Sequence, residues 1–184
     1  MTANQKTEWL QLEQEIHTSF KNVRLEDGIG YFEAGALDDY LSPDSLAYQT
    51  EKAKDERNDW TILLVTFKHA KPDESRHCFM DAKGLRFYLP FLMVRKDSAI
   101  NSVLYFYISD IYKRDGYSTK RYTEMISLLT QEQKRSIYHF YVFMNQIEQP
   151  DFRTVYLNEE FDLGEEKMKG FDFMTFLKEQ FNPE

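Results

Sequence analysis

Four histidines, one cysteine and several paired carboxylates are the side chains of this 184-residue chain from which chemistry could start. His77 and Cys78 are adjacent, His69 precedes them, and His139 stands far along the chain. Zinc sites need spacings such as Cys-x2-Cys, His-x3-His or His-Glu-x2-His, and none occurs. On a strand, neighbouring residues face opposite sides, so His77 and Cys78 would not share an ion. The expectation is a surface histidine beside a buried cysteine, with no metal and no cofactor.

Covalent and acid–base chemistry fare no better. Cys78 and His139 would make a nucleophile and base, but no flanking pattern supports the pair, and no Gly-x-Ser-x-Gly elbow is present. Asp38-Asp39, Glu159-Glu160 and Glu165-Glu166 lie in polar surroundings, whereas a catalytic acid needs burial to raise its pKa. They read as solvated faces. Gly28-Ile29-Gly30 lacks the third glycine and the preceding strand of a dinucleotide loop, and no phosphate-loop pattern precedes Lys54. No catalytic residue is assigned, and an enzyme is not expected. Arg86 is the polar residue to watch. It is either an exposed charge guarding a strand edge or a cleft arginine paired with a carboxylate.

The elements that would position these residues follow from periodicity. Trp9, Leu12, Ile16 and Phe20 recur at helical spacing, which predicts an amphipathic helix over Gln5 to Lys21. Val23 to Leu41 carries Gly28, Gly30 and Gly35 and reads as an irregular loop. Ser42-Pro43-Asp44 signals a helix start, with the helix reaching about Arg57. Residues 60–67 and 103–111 fit either a helix or a strand, because helical spacing and β-branched or aromatic residues coincide there. His77 to Met80 and Leu85 to Leu89 pair as a hairpin around Asp81-Ala82-Lys83-Gly84, with Gly84 at positive φ and Pro90 opening the next helix. Lys113 to Tyr122 is a basic loop. Thr130-Gln131-Glu132-Gln133 is a capping box opening a helix to about Gln149, with Ile137, Phe140, Tyr141, Met144 and Ile147 on one face. Asn158 to Glu166 is an acidic loop, and Asp172 to Phe181 is a helix with Phe173, Phe176, Leu177 and Phe181 inward.

These elements predict an α+β fold, predominantly helical: a single-domain helical bundle over residues 1–184 with a short β-hairpin near residues 77–89. An acidic C-terminal extension, 151–184, packs on it. Hydrophobic residues at 42% and aromatics at 16% supply an ample core, with Trp9 and Trp60 inside it. A lone cysteine excludes an internal disulfide and points to a reducing compartment. Met1 to Gln11 has no signal-like apolar run, and the longest apolar stretches fall far short of the roughly 20 residues of a membrane span. The expectation is a cytoplasmic, soluble protein without a membrane partner. A net charge of −8 repels nucleic acid and suits a basic protein.

Asp81-Ala82-Lys83-Gly84-Leu85-Arg86-Phe87-Tyr88-Leu89-Pro90 resembles the (D/E)-G-(F/L)-R-(F/Y)-Y-L-P signature of a family of small bacterial proteins of unknown function. Trp60, Leu129 to Gln133 and the Ile16-x3-Phe20 helix extend the similarity over most of residues 10 to 148. Phe91 departs from the small residue that commonly follows the proline, and Asp151 to Glu184 lies outside. The family brings no catalytic residues. Gly84, Arg86, Tyr88 and Pro90 are therefore read as a structural signature.

Acidic, aromatic-rich, cysteine-poor chains of this type resemble the immunity proteins encoded beside secreted bacterial toxins. The functional expectation is a non-enzymatic binding protein, a monomer, that neutralises a cognate toxin or other basic protein. Its partner-binding candidates are Asp38, Asp39, Glu159, Glu160, Asp162, Glu165 and Glu166. One alternative is a small-molecule or enzymatic pocket around Arg86, Tyr88 and Tyr107; another is a scaffold subunit that self-associates through exposed aromatics.

Overall fold

Helix α5, Ala82–Arg95, is the element around which the others gather. In the computed structural model, which describes residues 1–70, 72–97, 99–100, 103, 120–147 and 173–182, α5 touches α1 (Ala3–Ser19), α4 (Ile62–Thr66) and α6 (Arg121–Ser127). Helix α1 also packs along α7 (Gln131–Gln146), and α7 carries α8 (Phe173–Phe181). On the other side α2 (Tyr31–Asp38) and α3 (Leu46–Lys52) form a short helical hairpin, and α2 rests on a 3-10 helix, Glu74–Phe79.

No strand occurs among the described residues, so the expected α+β class and the hairpin near residues 77–89 are corrected to an all-helical arrangement. The reason lies at Asp81. Its carboxylate accepts the Gly84 N–H at 2.7 Å, which makes it the N-cap of a helix rather than a turn residue. Leu85, Tyr88, Leu89 and Leu92 then follow at helical spacing and are all buried. The run from Leu85 to Leu89 is too apolar for its periodicity to separate a half-buried strand from a buried helix. Pro90 stands inside α5 instead of opening a helix, so it supplies no N–H to the Arg86 carbonyl.

Gly84 is helical, not left-handed, and its role is close approach. A Cβ at this position would stand 2.0 Å from the Ile29 carbonyl oxygen. The loop before α2 therefore lies directly on the first turn of α5, and Asp81 Oδ1 also accepts the Ile29 N–H at 3.0 Å. The segment expected to be loop, Val23 to Leu41, contains α2, because Gly30 is its N-cap and Gly35 sits within it.

The expected capping box forms, and the structure adds a second. Thr130 and Gln133 cap α7 reciprocally, as the motif predicts, and Thr2 with Gln5 does the same for α1. The cap of α3 is Ser45, three residues later than expected, and α3 ends at Lys52, well short of Arg57. Residues 62–66 are helical. Trp9 and Trp60 are core residues, with Trp60 Nε1 donating to the Phe20 carbonyl at 3.0 Å. Phe176, Leu177 and Phe181 turn inward as expected. Most of residues 103–111, the basic loop after Lys113 and the acidic loop 158–166 lie outside the described residues.

Gly84→Ala is expected to destabilise the fold by about 2 kcal/mol. Alanine gains up to about 1 kcal/mol of helix propensity, but overpacking costs roughly 1–3 kcal/mol and here the obstacle is backbone. An unchanged urea midpoint would contradict this account of the signature glycine.

Candidate functional site

Two surfaces gather the polar and exposed residues of the chain. The first is the tip of the α2–α3 hairpin. Its rigidity starts from Glu33, which is 3% exposed on α2. Tyr48 donates its hydroxyl to Glu33 Oε1 at 2.6 Å, Lys52 Nζ reaches the same oxygen at 2.7 Å, and Arg57 Nη2 stands 3.4 Å from Oε2. Burial and the Glu33 carboxylate together push the Tyr48 phenol up to about 12. One α2 carboxylate thus holds two side chains of α3 and one beyond it, and a buried carboxylate stays charged only where such partners meet it.

Asp55 supplies the cap that Gly30 cannot. Its two oxygens accept the Phe32 and Glu33 N–H groups at 2.8 and 3.0 Å, at the start of α2. The carboxylate occupies the place a Gly30 side chain would fill, since a Cβ there would stand 2.3 Å from Asp55 Cγ. Burial raises the Asp55 pKa more than these N–H groups and Arg57 lower it.

At the far end of α2 the chain turns through a Schellman closure. The Leu41 N–H reaches the Ala36 carbonyl at 3.0 Å, and Tyr40 takes the left-handed position with φ 55°. Glycine is the usual occupant there, because a Cβ in that conformation costs about 1 kcal/mol or more. Tyr40 is 92% exposed and Leu46, at the start of α3, is 84% exposed. Asp38 is half-buried beside them, and Asp39 and Asp44 are exposed. From Leu25 to Glu51 the sequence has seven acidic residues and no lysine, arginine or histidine. Ion pairs take up Glu26, Asp27, Glu33 and Glu51, whereas among the described residues none reaches Asp38, Asp39 or Asp44.

The second surface is an open groove of about 890 Å³ between α1 and α7. Glu15 lies at its centre. His139 Nδ1 stands 3.0 Å from Glu15 Oε2, and the Ser136 hydroxyl is 2.9 Å from Oε1. A nucleophile relay needs the imidazole between hydroxyl and carboxylate, but here the carboxylate is in the middle. At the loop end of the groove Arg86 donates to Glu26 Oε1 at 3.1 Å, so Arg86 is the cleft arginine paired with a carboxylate. Glu26 is itself left-handed, with φ 57°, and Lys83 joins it at 3.0 Å. Lys83 first, then Arg86, holds the Glu26 carboxyl below its ordinary range.

The signature residues divide between these places. Arg86 lines the groove, while Tyr88, two residues on, points into the core against Tyr31 and Phe91. The Tyr88 hydroxyl and Arg86 Nε are buried without a hydrogen-bond partner among the described residues. Pro90 is buried in α5. His77 and Cys78 depart from the expected surface histidine and buried cysteine. His77 is buried, Cys78 is half-buried, and in the 3-10 helix their side chains meet at 3.6 Å. Burial pushes the Cys78 thiol up, away from a reactive thiolate. Among the described residues no three His, Cys, Asp or Glu groups are placed to hold a metal ion, and no helix is long and apolar enough to cross a membrane. Glu159, Glu160, Asp162, Glu165, Glu166 and Tyr107 lie outside the described residues.

Tyr40, Leu46 and the network of Glu33, Asp55 and Arg57 were missed in the sequence. The unbroken acidic stretch from Leu25 to Glu51 is the signal that could have found the tip.

A helical protein with a signature-bearing central helix, an acidic hairpin tip and a polar interhelical groove is the class these observations define. Residues 9–160 match the model of a family described as a family of unknown function (DUF6714), and the chain belongs to it. No curated protein and no solved structure matches.

Tyr88→Phe is expected to stabilise the fold by about 1 kcal/mol, since it removes a buried hydroxyl that has no partner among the described residues. A lowered urea midpoint would show that the hydroxyl is bonded. A second expectation concerns pH. A raised folded pKa means that the Asp55 contribution is full below about 3.8 and is lost as pH rises through the elevated folded value. Wild type should therefore lose stability relative to Asp55→Asn between pH 4 and pH 7, and a difference that stays constant or reverses would sink this reading.

Proposed function

We propose that the protein acts by binding another protein, as an immunity protein that neutralises a cognate basic toxin in the cytoplasm of a bacterial cell. The observation that carries this reading is the acidic stretch from Leu25 to Glu51, whose Asp38, Asp39 and Asp44 remain outside the ion pairs among the described residues. Uncompensated carboxylates at one end of a rigid hairpin steer a cationic partner and reject anionic ones. The net charge of −8, to which the segment from Glu159 to Glu166 contributes five carboxylates, favours the same kind of partner. On this reading the groove residues Glu15, Ser136 and His139 serve the packing of α1 on α7 rather than a reaction.

A second reading rests on the groove. Its size lies within the range of ligand pockets, but among the described residues it is lined mostly by long or hydroxyl-bearing polar side chains and by no Phe, Tyr or Trp. Arg86 and Tyr88 face different cavities, so such a ligand would meet Arg86, Glu26, Glu15 and His139 and not Tyr88. Thermal-shift screening of polar metabolites against wild type and Arg86→Ala separates this reading from the first.

Co-expression with the toxin gene beside its own is the direct test of the first. Protection of growth is expected, along with a complex whose affinity falls steeply as salt is raised. Asp38→Asn with Asp39→Asn should weaken that complex at least tenfold without lowering the melting temperature. Unrelieved toxicity, or a neighbourhood that encodes no toxin, overturns the immunity reading.

A further inference from the structure

We propose that Tyr40 and Leu46 are the apolar centre of a protein-docking face at the tip of the α2–α3 hairpin. The partner surface it fits is an apolar pocket rimmed by lysine and arginine. The inference deepens the binding reading above and rests on it for the existence of a protein partner, but it commits to a surface and to a chemistry.

Tyr40 and Leu46 are the two most exposed large apolar side chains among the described residues, and they belong to one short segment. The end of α2 and the start of α3 lie at the same end of a hairpin whose helices pack side by side, so both project from one tip. The hairpin that carries them is braced behind the tip. The Glu33 bonds to Tyr48 and Lys52 tie the two helices together, and Asp55 fixes the start of α2. A presented aromatic on a preorganised support is how binding surfaces concentrate energy, because little ordering remains to be done on contact.

Charge selects the occupant. Asp38, Asp39 and Asp44 flank the apolar pair in the chain, and no basic residue occurs between Leu25 and Glu51. A central apolar contact with a charged rim is the ordinary anatomy of a protein interface. An acidic partner would be repelled and an uncharged one would leave three carboxylates facing nothing, so the rim of the partner carries lysine or arginine. The rival apolar pair, Ile62 and Val65 on α4, is 44% and 73% exposed. It is flanked by Thr61, Thr66 and Lys68, so no single charge around it chooses a partner.

The test uses the full chain and a random dodecapeptide library displayed on phage. Recovered peptides should join lysine or arginine to a bulky apolar residue, and their binding should weaken with salt. Tyr40→Gly and Leu46→Ser should each reduce that binding at least tenfold, while Ile62→Ser with Val65→Ser leaves it unchanged. Tyr40→Gly relieves a left-handed backbone, so its melting temperature should equal or exceed that of wild type. Loss of binding in that variant therefore cannot be loss of fold. The inference is overturned if no peptide is recovered, if recovered peptides lack basic residues, or if they bind Tyr40→Gly as tightly as wild type. The two readings fail separately. A neighbouring toxin that binds both tip variants at wild-type strength overturns the docking face and leaves the protective function standing. Peptides that select the tip where the toxin assay fails uphold the face and overturn only the immunity reading.

Discussion

The fold depends on one carboxylate oxygen and one missing methyl group. Asp81 Oδ1 accepts the Gly84 N–H, which starts α5, and the Ile29 N–H, which lays the preceding loop across that start. The approach is so close that only glycine at position 84 leaves room for the Ile29 carbonyl. From this contact the chain runs one residue to Gly30, the N-cap of α2, and on the other side back to Glu26, the partner of Arg86 and Lys83. The hairpin and the loop end of the groove are therefore set by the same two hydrogen bonds. The polar residues of the signature segment, Asp81, Lys83 and Arg86, are occupied in joining α5 to the loop before α2.

Capping by distant side chains recurs through this part of the molecule. Gly30 offers no side chain to α2, and Asp55 supplies both acceptors from the far end of the hairpin. Arg57, two residues on, gives Nη1 to the carbonyls of Glu26 and Gly28 and Nη2 to Glu33. Each of these groups would be costly if left alone in the interior, since a buried charge or backbone amide needs a partner. Taken together they make the segment from Glu26 to Arg57 one connected polar network over an apolar core of Leu25, Tyr31 and Leu63.

These relationships show what could be read from the chain and what could not. The α7 capping box, the α1 spacing and the inward face of α8 depend on residues three or four apart, so local pattern was sufficient. The hairpin was misread because Asp81-Ala82-Lys83-Gly84 suits both a turn and a helix start, and the decision is made by Ile29, more than fifty positions away. Helix α2 was hidden for the same reason. Its glycines read as punctuation, whereas Gly30 makes space for Asp55, which no local window contains. For Arg86 the chain left two readings open, an exposed strand charge or a cleft arginine paired with a carboxylate, and only the fold supplies Glu26 and decides for the second.

The tip of the hairpin differs from these sites in kind. At Gly84, Gly30 and Asp55 every departure from local preference is repaid by a contact within the molecule. At the tip, two preferences are broken with no such return. Tyr40 stands where glycine is the rule, yet its ring meets solvent instead of the core. Asp38 and Asp39 close α2 at the end where the helix dipole disfavours negative charge, and no ion pair among the described residues offsets them. Asp44, near the start of α3, is electrostatically at ease, so the conflict is confined to the residues that cluster around Tyr40. A sequence locally consistent through most of the described structure is inconsistent here, and such exceptions are expected at functional or strained sites, which is what the proposed docking face would make of this one. The groove shows the opposite balance. Its central residues, Glu15, Ser136 and His139, satisfy one another across α1 and α7, which gives them a structural reason to be there that Tyr40 lacks.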